Sequence, residues 1–208
     1  MKYKAVFFDL DGTLMNTSEG IWAGGRYAMK VNNIPIPPNV NWNSFIGPPL
    51  AECFRIAFGV QEQEKLDSLV KDYRVFYHKE GRVMASFYPG ILEVLQTLKK
   101  GGYKLAIASM KNEDLVIEMM EHFKTSHYFD AFFGLDLEGK MTKALLLKKG
   151  FEEFGLKKDE CVLVGDTLID KMGAMEAGCH CICVNWGFGF TKEDEGTISD
   201  PLSILDLV

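Results

Sequence analysis

The stretch Val6-Phe7-Phe8-Asp9-Leu10-Asp11-Gly12-Thr13-Leu14 constrains this chain more than any other. Its apolar run reads as a strand covered on both faces, the pattern of a central strand in a parallel sheet. The run stops abruptly at two carboxylates, and Gly12-Thr13 then turns the backbone away. In open parallel sheets the ligand site lies at the carboxyl ends of the strands, which is where Asp9 and Asp11 stand. An ordinary strand running into an Asp-Gly turn accounts for Asp11-Gly12. It does not account for an acid at Asp9 directly after Val-Phe-Phe.

From Tyr88-Pro89-Gly90 onward helix alternates with strand, which indicates crossover units and a parallel sheet. Helices are expected from Ile91 to Lys100, Asn112 to about Phe123, Thr142 to Phe154 and Leu168 to Ala177. Strands are expected from Lys104 to Ser109, Phe129 to Phe133, Glu160 to Val164 and His180 to Val184, and the tail from Ile198 to Val208 reads as a short helix. The segment from about Thr17 to about Ala85 has a different texture, helices with no strand between them. The first runs to Val31 with Ile21, Trp22, Tyr27, Ala28 and Val31 near helical spacing, and the second spans Leu50 to Phe58 and ends at Gly59. The third runs from Glu62 to about Tyr77 with Leu66, Leu69, Val70, Tyr73 and Phe76 inward. Three helices of this size cannot close a sheet. The expected fold is therefore α/β, a doubly wound parallel sheet made by residues 1–16 and 86–208, with an all-helical domain of residues 17–85 inserted.

At 208 residues and 47% apolar the chain can build one such core with an insertion. A net charge of -6 argues against a nucleic-acid polymer or an anionic membrane as partner, since either would want a basic surface. No stretch approaches the length of a membrane span, and Met-Lys-Tyr-Lys runs straight into the first strand without a signal-peptide pattern, so a cytoplasmic protein is expected. Of five cysteines, Cys53 and Cys161 are isolated, while alternation puts Cys179, Cys181 and Cys183 on one face of a strand. No second ligand pair at zinc-knuckle spacing accompanies them, and core packing is the favoured reading.

The carboxyl ends of the later strands collect a second set of chemistry. Ser109 ends one strand and is followed by Lys111, and Gly165-Asp166-Thr167-Leu168-Ile169-Asp170 follows another. Lys143 opens a helix just after Gly139-Lys140. In a parallel sheet these ends share one edge, so Asp9, Asp11, Ser109, Lys143, Asp166 and Asp170 can converge. Several acids in one pocket repel each other unless a divalent cation sits among them, and oxygen-only ligands indicate a hard ion, Mg²⁺ first. The Ser109 hydroxyl and Lys143 ammonium then supply donors for phosphoryl oxygens. Of the two first acids, one is free to bond covalently to phosphorus while the other handles protons. Taken singly, Lys143 reads as a solvated lysine among 23 basic residues, and Asp166 and Asp170 as helix caps. The set is far more specific than its members.

On these motifs the chain resembles the haloacid dehalogenase superfamily, in its phosphatase branch with a helical cap. Asp9-Leu10-Asp11-Gly12-Thr13-Leu14 stands as the first motif, Ser109 as the second, Lys143 as the third and Gly165 to Asp170 as the fourth. Within it the chain is similar to phosphoglycolate phosphatases and to a related group of 5′-nucleotidases. Phe45-Ile46-Gly47-Pro48-Pro49-Leu50 and Tyr88-Pro89-Gly90 look like the latter. The resemblance implies a strand order 5-4-1-2-3 and a cap that closes over the site. It implies Asp9 as nucleophile, Asp11 as general acid and base, and Mg²⁺ held by Asp9, Asp166, the Asp11 carbonyl and Asp170. Phosphate contacts would come from Gly12, Thr13, Ser109, Met110 and Lys143, and substrate contacts from Gly47 and Arg55 in the cap. The implied partner is a small phosphomonoester, and the chain a monomer or homodimer. Two departures stand out. Met110 follows Ser109 where relatives carry a small polar residue, and Lys143 lacks a following proline, which makes Lys140 an alternative for its role.

Other readings meet the same residues. A dehalogenase needs neither Asp11 nor a metal. A capped sugar phosphomutase wants an arginine soon after the cap glycine, where Pro48-Pro49-Leu50-Ala51 offers none. A signalling receiver domain carries its phosphoacceptor on a middle strand and has no cap of this length. A non-catalytic phosphate-binding descendant would have lost an acid, and none is lost here.

Overall fold

Ala5–Phe8 forms a strand whose four residues are all fully buried, as a central strand requires. The computed structural model describes residues 2–47, 49–136 and 140–208; Pro48 of the cap motif and Gly139 before Lys140 lie outside them. The chain divides into two units, Met1–Asn16 with Phe87–Val208, and Thr17–Ser86.

Among the described residues the first unit holds a six-stranded sheet. Its strands are β1 (Ala5–Phe8), β2 (Lys104–Asn112), β3 (Ala131–Leu135), β4 (Cys161–Gly165), β5 (His180–Val184) and β6 (Thr197–Ile198). Every neighbouring pair is parallel, in the order β3-β2-β1-β4-β5-β6. The first five stand in the order 5-4-1-2-3 read from the other edge, as expected. The sixth is an addition: the tail pairs briefly with β5 before its 3₁₀ turn at Pro201–Asp206, where a short helix alone was expected.

Among the described residues, four helices of this unit cover the sheet: α4 (Ile91–Lys100), α5 (Glu113–His122), α6 (Lys143–Phe154) and α7 (Leu168–Ala177). Strand alternation explains the layering. Ala5, Phe7, Ala106, Ala108, Phe133 and Leu163 share one buried cluster with Leu146, Leu147 and Phe151 of α6 and Ala174 and Ala177 of α7. Phe7 lies at its centre, with ring centroids 6.1 Å from Phe133, 5.6 Å from Phe151 and 5.7 Å from Phe154. Truncating such a ring costs about 3–5 kcal/mol. The intervening residues Val6, Phe8, Leu105, Ile107, Val162 and Val164 are equally buried and turn to the other face, where α4 packs on β2.

The second unit is helical: α1 (Ser18–Val31), α2 (Leu50–Phe58) and α3 (Gln63–Lys79) with short 3₁₀ turns. Its core is aromatic, with Phe45 within 5.0–6.0 Å of Phe54, Phe58 and Tyr73, centroid to centroid. Gly59 ends α2 with φ 72°. The buried face of α1 is not the expected one. Tyr27 and Val31 are exposed, and Gly20, Ile21, Gly24, Gly25, Ala28 and Met29 face inward. The rings of Tyr73 and Phe45 occupy the space where α1 side chains would go; a Cβ on Gly24 would lie 2.7 Å from Tyr73. Among the described residues no helix is long and apolar enough to cross a membrane.

Candidate active site

Asp9 is the first residue beyond β1, and its amide donates to the Val164 carbonyl (2.9 Å), which fixes the backbone at the sheet edge. The residue is only 7% exposed. Asp166 follows β4 directly, and Asp170 lies one turn into α7 as the third residue of a capping box with Thr167. The Thr167 amide and hydroxyl donate to Asp170 Oδ2 at 3.0 and 2.6 Å. Thus Asp170 does cap its helix, as the ordinary reading of it held, and still turns Oδ1 away from the helix. Asp9, Asp166 and Asp170 each offer a carboxylate oxygen within 4.8 Å of the others.

Lys143 meets these acids from the first position of α6, whose amino end is capped by the Thr142 hydroxyl. Its Nζ lies 2.6 Å from Asp9 Oδ1, 2.6 Å from the Ala108 carbonyl and 2.8 Å from Asp170 Oδ1. The Asp170 contact is an ion pair outside hydrogen-bond geometry, so Oδ1 of that buried acid has no aligned donor. Lys140, the alternative for the same role, is exposed.

Ser109 sits in β2 where its register with β3 shifts between Ala108 and Asn112. An irregularity of this kind re-aims side chains at a strand end. The Ser109 hydroxyl is buried and accepts from the Lys111 amide (3.2 Å), while Met110 beside it is 37% exposed. The Lys111 ammonium reaches across to Asp11 Oδ2 (3.1 Å).

Asp166 is the most enclosed acid. Thr13 Oγ1 donates to its Oδ1 (2.9 Å) and the Phe188 amide to its Oδ2 (2.7 Å). The Phe190 amide donates to its carbonyl (2.8 Å), and Trp186 Nε1 donates to the Thr13 carbonyl (3.1 Å). Two glycines permit the fit. A Cβ on Gly12, whose φ is +90°, would lie 2.3 Å from Asp166 Oδ2, and one on Gly187 2.2 Å from the same oxygen. The segment Trp186–Phe190 therefore clasps the first and fourth motifs together. Sequence reading gave neither this segment nor Lys111 a role. The signal it passed over was the alternation of Gly187 and Gly189 just past β5.

Burial sets the electrostatics. Desolvation pushes Asp9 up to about 8; Lys143 opposes this, while Asp170, Asp166 and Asp11 add to it. Asp166 is pushed up to about 6, again by burial, against the donors Phe188 N–H and Thr13. For Lys143 burial acts to lower the pKa, but the Asp170 and Asp9 carboxylates outweigh it and hold the ammonium charged. One lysine against three buried acids leaves a deficit of positive charge. Hard oxygen donors with such a deficit fit a divalent cation.

The remaining two candidates, Gly47 and Arg55, belong to the helical unit. Gly47 has φ +107°, and Arg55 on α2 pairs with Glu52 Oε2 (3.3 Å) and Gln63 Oε1 (3.0 Å).

A doubly wound parallel sheet carries on its carboxyl edge an acid cluster that could hold a divalent cation. Over residues 6–184 the chain matches the haloacid dehalogenase-like hydrolase family, and it belongs to that family. It is 34% identical over 202 residues to a protein of Pseudomonas aeruginosa named 5′-nucleotidase, covering 97% of this chain and 90% of that one. It is 30% identical over 206 residues to pyrophosphatase PpaX of Halalkalibacterium halodurans, covering 99% and 93%. A solved haloacid dehalogenase-like hydrolase from Streptococcus pneumoniae superposes with a TM-score of 0.88 at 28% identity, covering 99% and 98%.

Proposed function

We propose that this chain is a Mg²⁺-dependent phosphatase that hydrolyses a small phosphomonoester through an aspartyl-phosphate intermediate. The observation that carries the reading is the setting of Asp9, a buried carboxylate at the end of the central strand with the Lys143 ammonium 2.6 Å away. A carboxylate attacks phosphorus only where cations offset the repulsion between two anions. Asp9, Asp166 and Asp170 would hold Mg²⁺ together with the Asp11 carbonyl, and the bound ion would neutralise charge on the phosphoryl oxygens. Lys143 keeps an Asp9 oxygen aligned and places a second positive charge beside it. In the first half-reaction an Asp9 oxygen bonds to phosphorus as the ester O–P bond breaks, and Asp11 gives its proton to the leaving alkoxide. In the second, Asp11 takes a proton from water as that water attacks phosphorus and releases Asp9. Ser109 and the amides of Thr13 and Met110 donate to the transferring group, whereas the Gly12 amide, expected to join them, is committed to the Met15 carbonyl (2.8 Å).

The family resemblance implies a phosphoglycolate-type substrate, with a nucleoside monophosphate as the alternative that residues 45–50 and Tyr88-Pro89-Gly90 favour. The nucleoside monophosphate reading gains support from the Pseudomonas aeruginosa relative's name and the extent of its match. The helical insertion would make the choice, because the core groups address only the phosphoryl end that all monoesters share. The test is release of inorganic phosphate from a panel of phosphoglycolate, nucleoside monophosphates and sugar phosphates, with Mg²⁺ and with chelator. We expect Mg²⁺-dependent release from at least one class. No release from any member would overturn the reading.

A further inference from the structure

The cysteines of β5 play no part in the chemistry above, yet they lie beside it. Cys181 and Cys183 alternate onto one face of the strand, both are free thiols, and their sulfurs are 3.9 Å apart. Cys181 packs against the cluster containing Leu163, Ala174 and Ala177, which places both thiols on the α7 side of the sheet. The strand partner of Cys183 is Gly165. Gly165 has no side chain for a steric reason, since a Cβ there would lie 2.4 Å from Asp170 Cβ. The dithiol thus borders the place that Asp170 fills.

The sulfur spacing discriminates between two chemistries. A tetrahedral cation with metal–sulfur bonds of about 2.3 Å spans two thiolates about 3.8 Å apart. A disulfide needs sulfurs about 2.05 Å apart and Cα atoms no more than about 6.8 Å apart. Two residues along a strand advance about 6.6 Å, the top of that range. Joining the sulfurs would require β5 to shorten while it pairs with both β4 and β6. The spacing of the two sulfurs already matches chelation.

We propose that Cys181 and Cys183 form a two-thiolate site for a soft cation such as Zn²⁺ or Cd²⁺, separate from the hard carboxylate cluster. Binding is a plain exchange: two S–H bonds give up their protons to solvent, two metal–sulfur bonds form, and water completes the coordination shell. Thiolate ligands select such ions over Mg²⁺. A cation here would also compete for the charge of Asp170, so the site is inhibitory; this consequence rests on the phosphatase reading.

The experiment is a titration of the reduced full chain with Cd²⁺ in excess Mg²⁺, following the ultraviolet thiolate-to-cadmium charge-transfer absorption, with Zn²⁺ as competitor. We expect saturation at one Cd²⁺ per chain. Cys181→Ser or Cys183→Ser should weaken binding at least tenfold, and Cys53→Ser or Cys161→Ser should leave it unchanged. Cys183→Ala serves in place of the serine variant if a hydroxyl at that buried position unfolds the chain. Absence of the band in the parent, or its survival in the double variant, would overturn the site. So would loss of two thiols to a Cys181–Cys183 disulfide under peroxide in a protein that gives no cadmium band. The absorption does not depend on catalysis, so a chain inactive on every phosphomonoester that still binds Cd²⁺ through these sulfurs upholds the site and removes only its inhibitory role.

Discussion

Lys143 places its ammonium 2.6 Å from Asp9 Oδ1, a residue 134 positions earlier in the chain. The same nitrogen is 2.8 Å from Asp170 Oδ1, so one cation serves two buried acids. Removing one member of such a set leaves uncompensated buried charge, which costs about 3–5 kcal/mol. Lys143→Met should therefore lower the urea unfolding midpoint as well as cut phosphate release by roughly 10²–10³. An unchanged midpoint would show that the lysine is not the counter-charge of the apoprotein.

Asp9→Asn should abolish turnover and leave the fold intact, because the amide has the same shape and is a poor nucleophile. Phosphate release within tenfold of the parent would exclude the covalent route.

The same pair of proteins gives a pH prediction. Asp9 is pushed up to about 8 in the folded chain against 3.8 as its ordinary value. Between those values the native state holds a proton that the unfolded state has released. Stability in chelator should then fall as pH rises from 5 to 8, by at most about 1.4 kcal/mol per pH unit, and level off above. Asp166, pushed up to about 6, adds a fall in the lower part of that window. His180, lowered mainly by burial, acts in the opposite sense near its ordinary value. The quantity to measure is thus the difference between parent and Asp9→Asn, which isolates Asp9. A difference that does not change from pH 5 to 8 would contradict the raised value.

Gly187→Ala tests the clasp. Its new methyl would begin 2.2 Å from Asp166 Oδ2 and 2.3 Å from the Gly12 carbonyl, so Asp166 must turn. We expect Mg²⁺ affinity, read by the thermal shift that the ion produces, to drop about 10–100-fold. Equal affinity would mean that Asp166 can reorient without consequence.

For the helical insertion the prediction concerns ranking. Pro49→Ala and Arg55→Ala should change the order of kcat/KM among phosphoglycolate, a nucleoside monophosphate and a sugar phosphate more than they change Mg²⁺ dependence. A common loss factor for all three would assign these residues to stability.

The five longer strands were legible because each is a short apolar run ended by a turn or helix signal, and the acids because each interrupts or closely follows such a run. The sixth strand was not, since Thr197–Ile198 is two residues long and gains its identity only from pairing with Cys183 and Val184. The inner face of α1 was misread for a related reason. Apolar periodicity favoured Tyr27 and Val31, whereas the aromatic bulk of Tyr73 and Phe45 demanded glycine. Within the site, sequence spacing suggested that Asp9, Lys143, Asp166 and Asp170 could meet, and the structure brings them together. The hold of Trp186–Phe190 on Asp166 has no local signature beyond its glycines, because it exists only once strands distant in sequence lie side by side.

The central position of β1 has a consequence for the chain's birth. Ala5–Phe8 is made before both its neighbours, and they come late: β2 begins at Lys104 and β4 at Cys161. At about 5–20 residues per second, the ribosome takes on the order of ten seconds to deliver the first partner and longer for the second. Throughout that time Val6-Phe7-Phe8 is an apolar segment with no edge to join, while the insertion emerges behind it. The nascent chain must shelter the segment on which everything later aligns, and its folding is paced by partner strands made long after it.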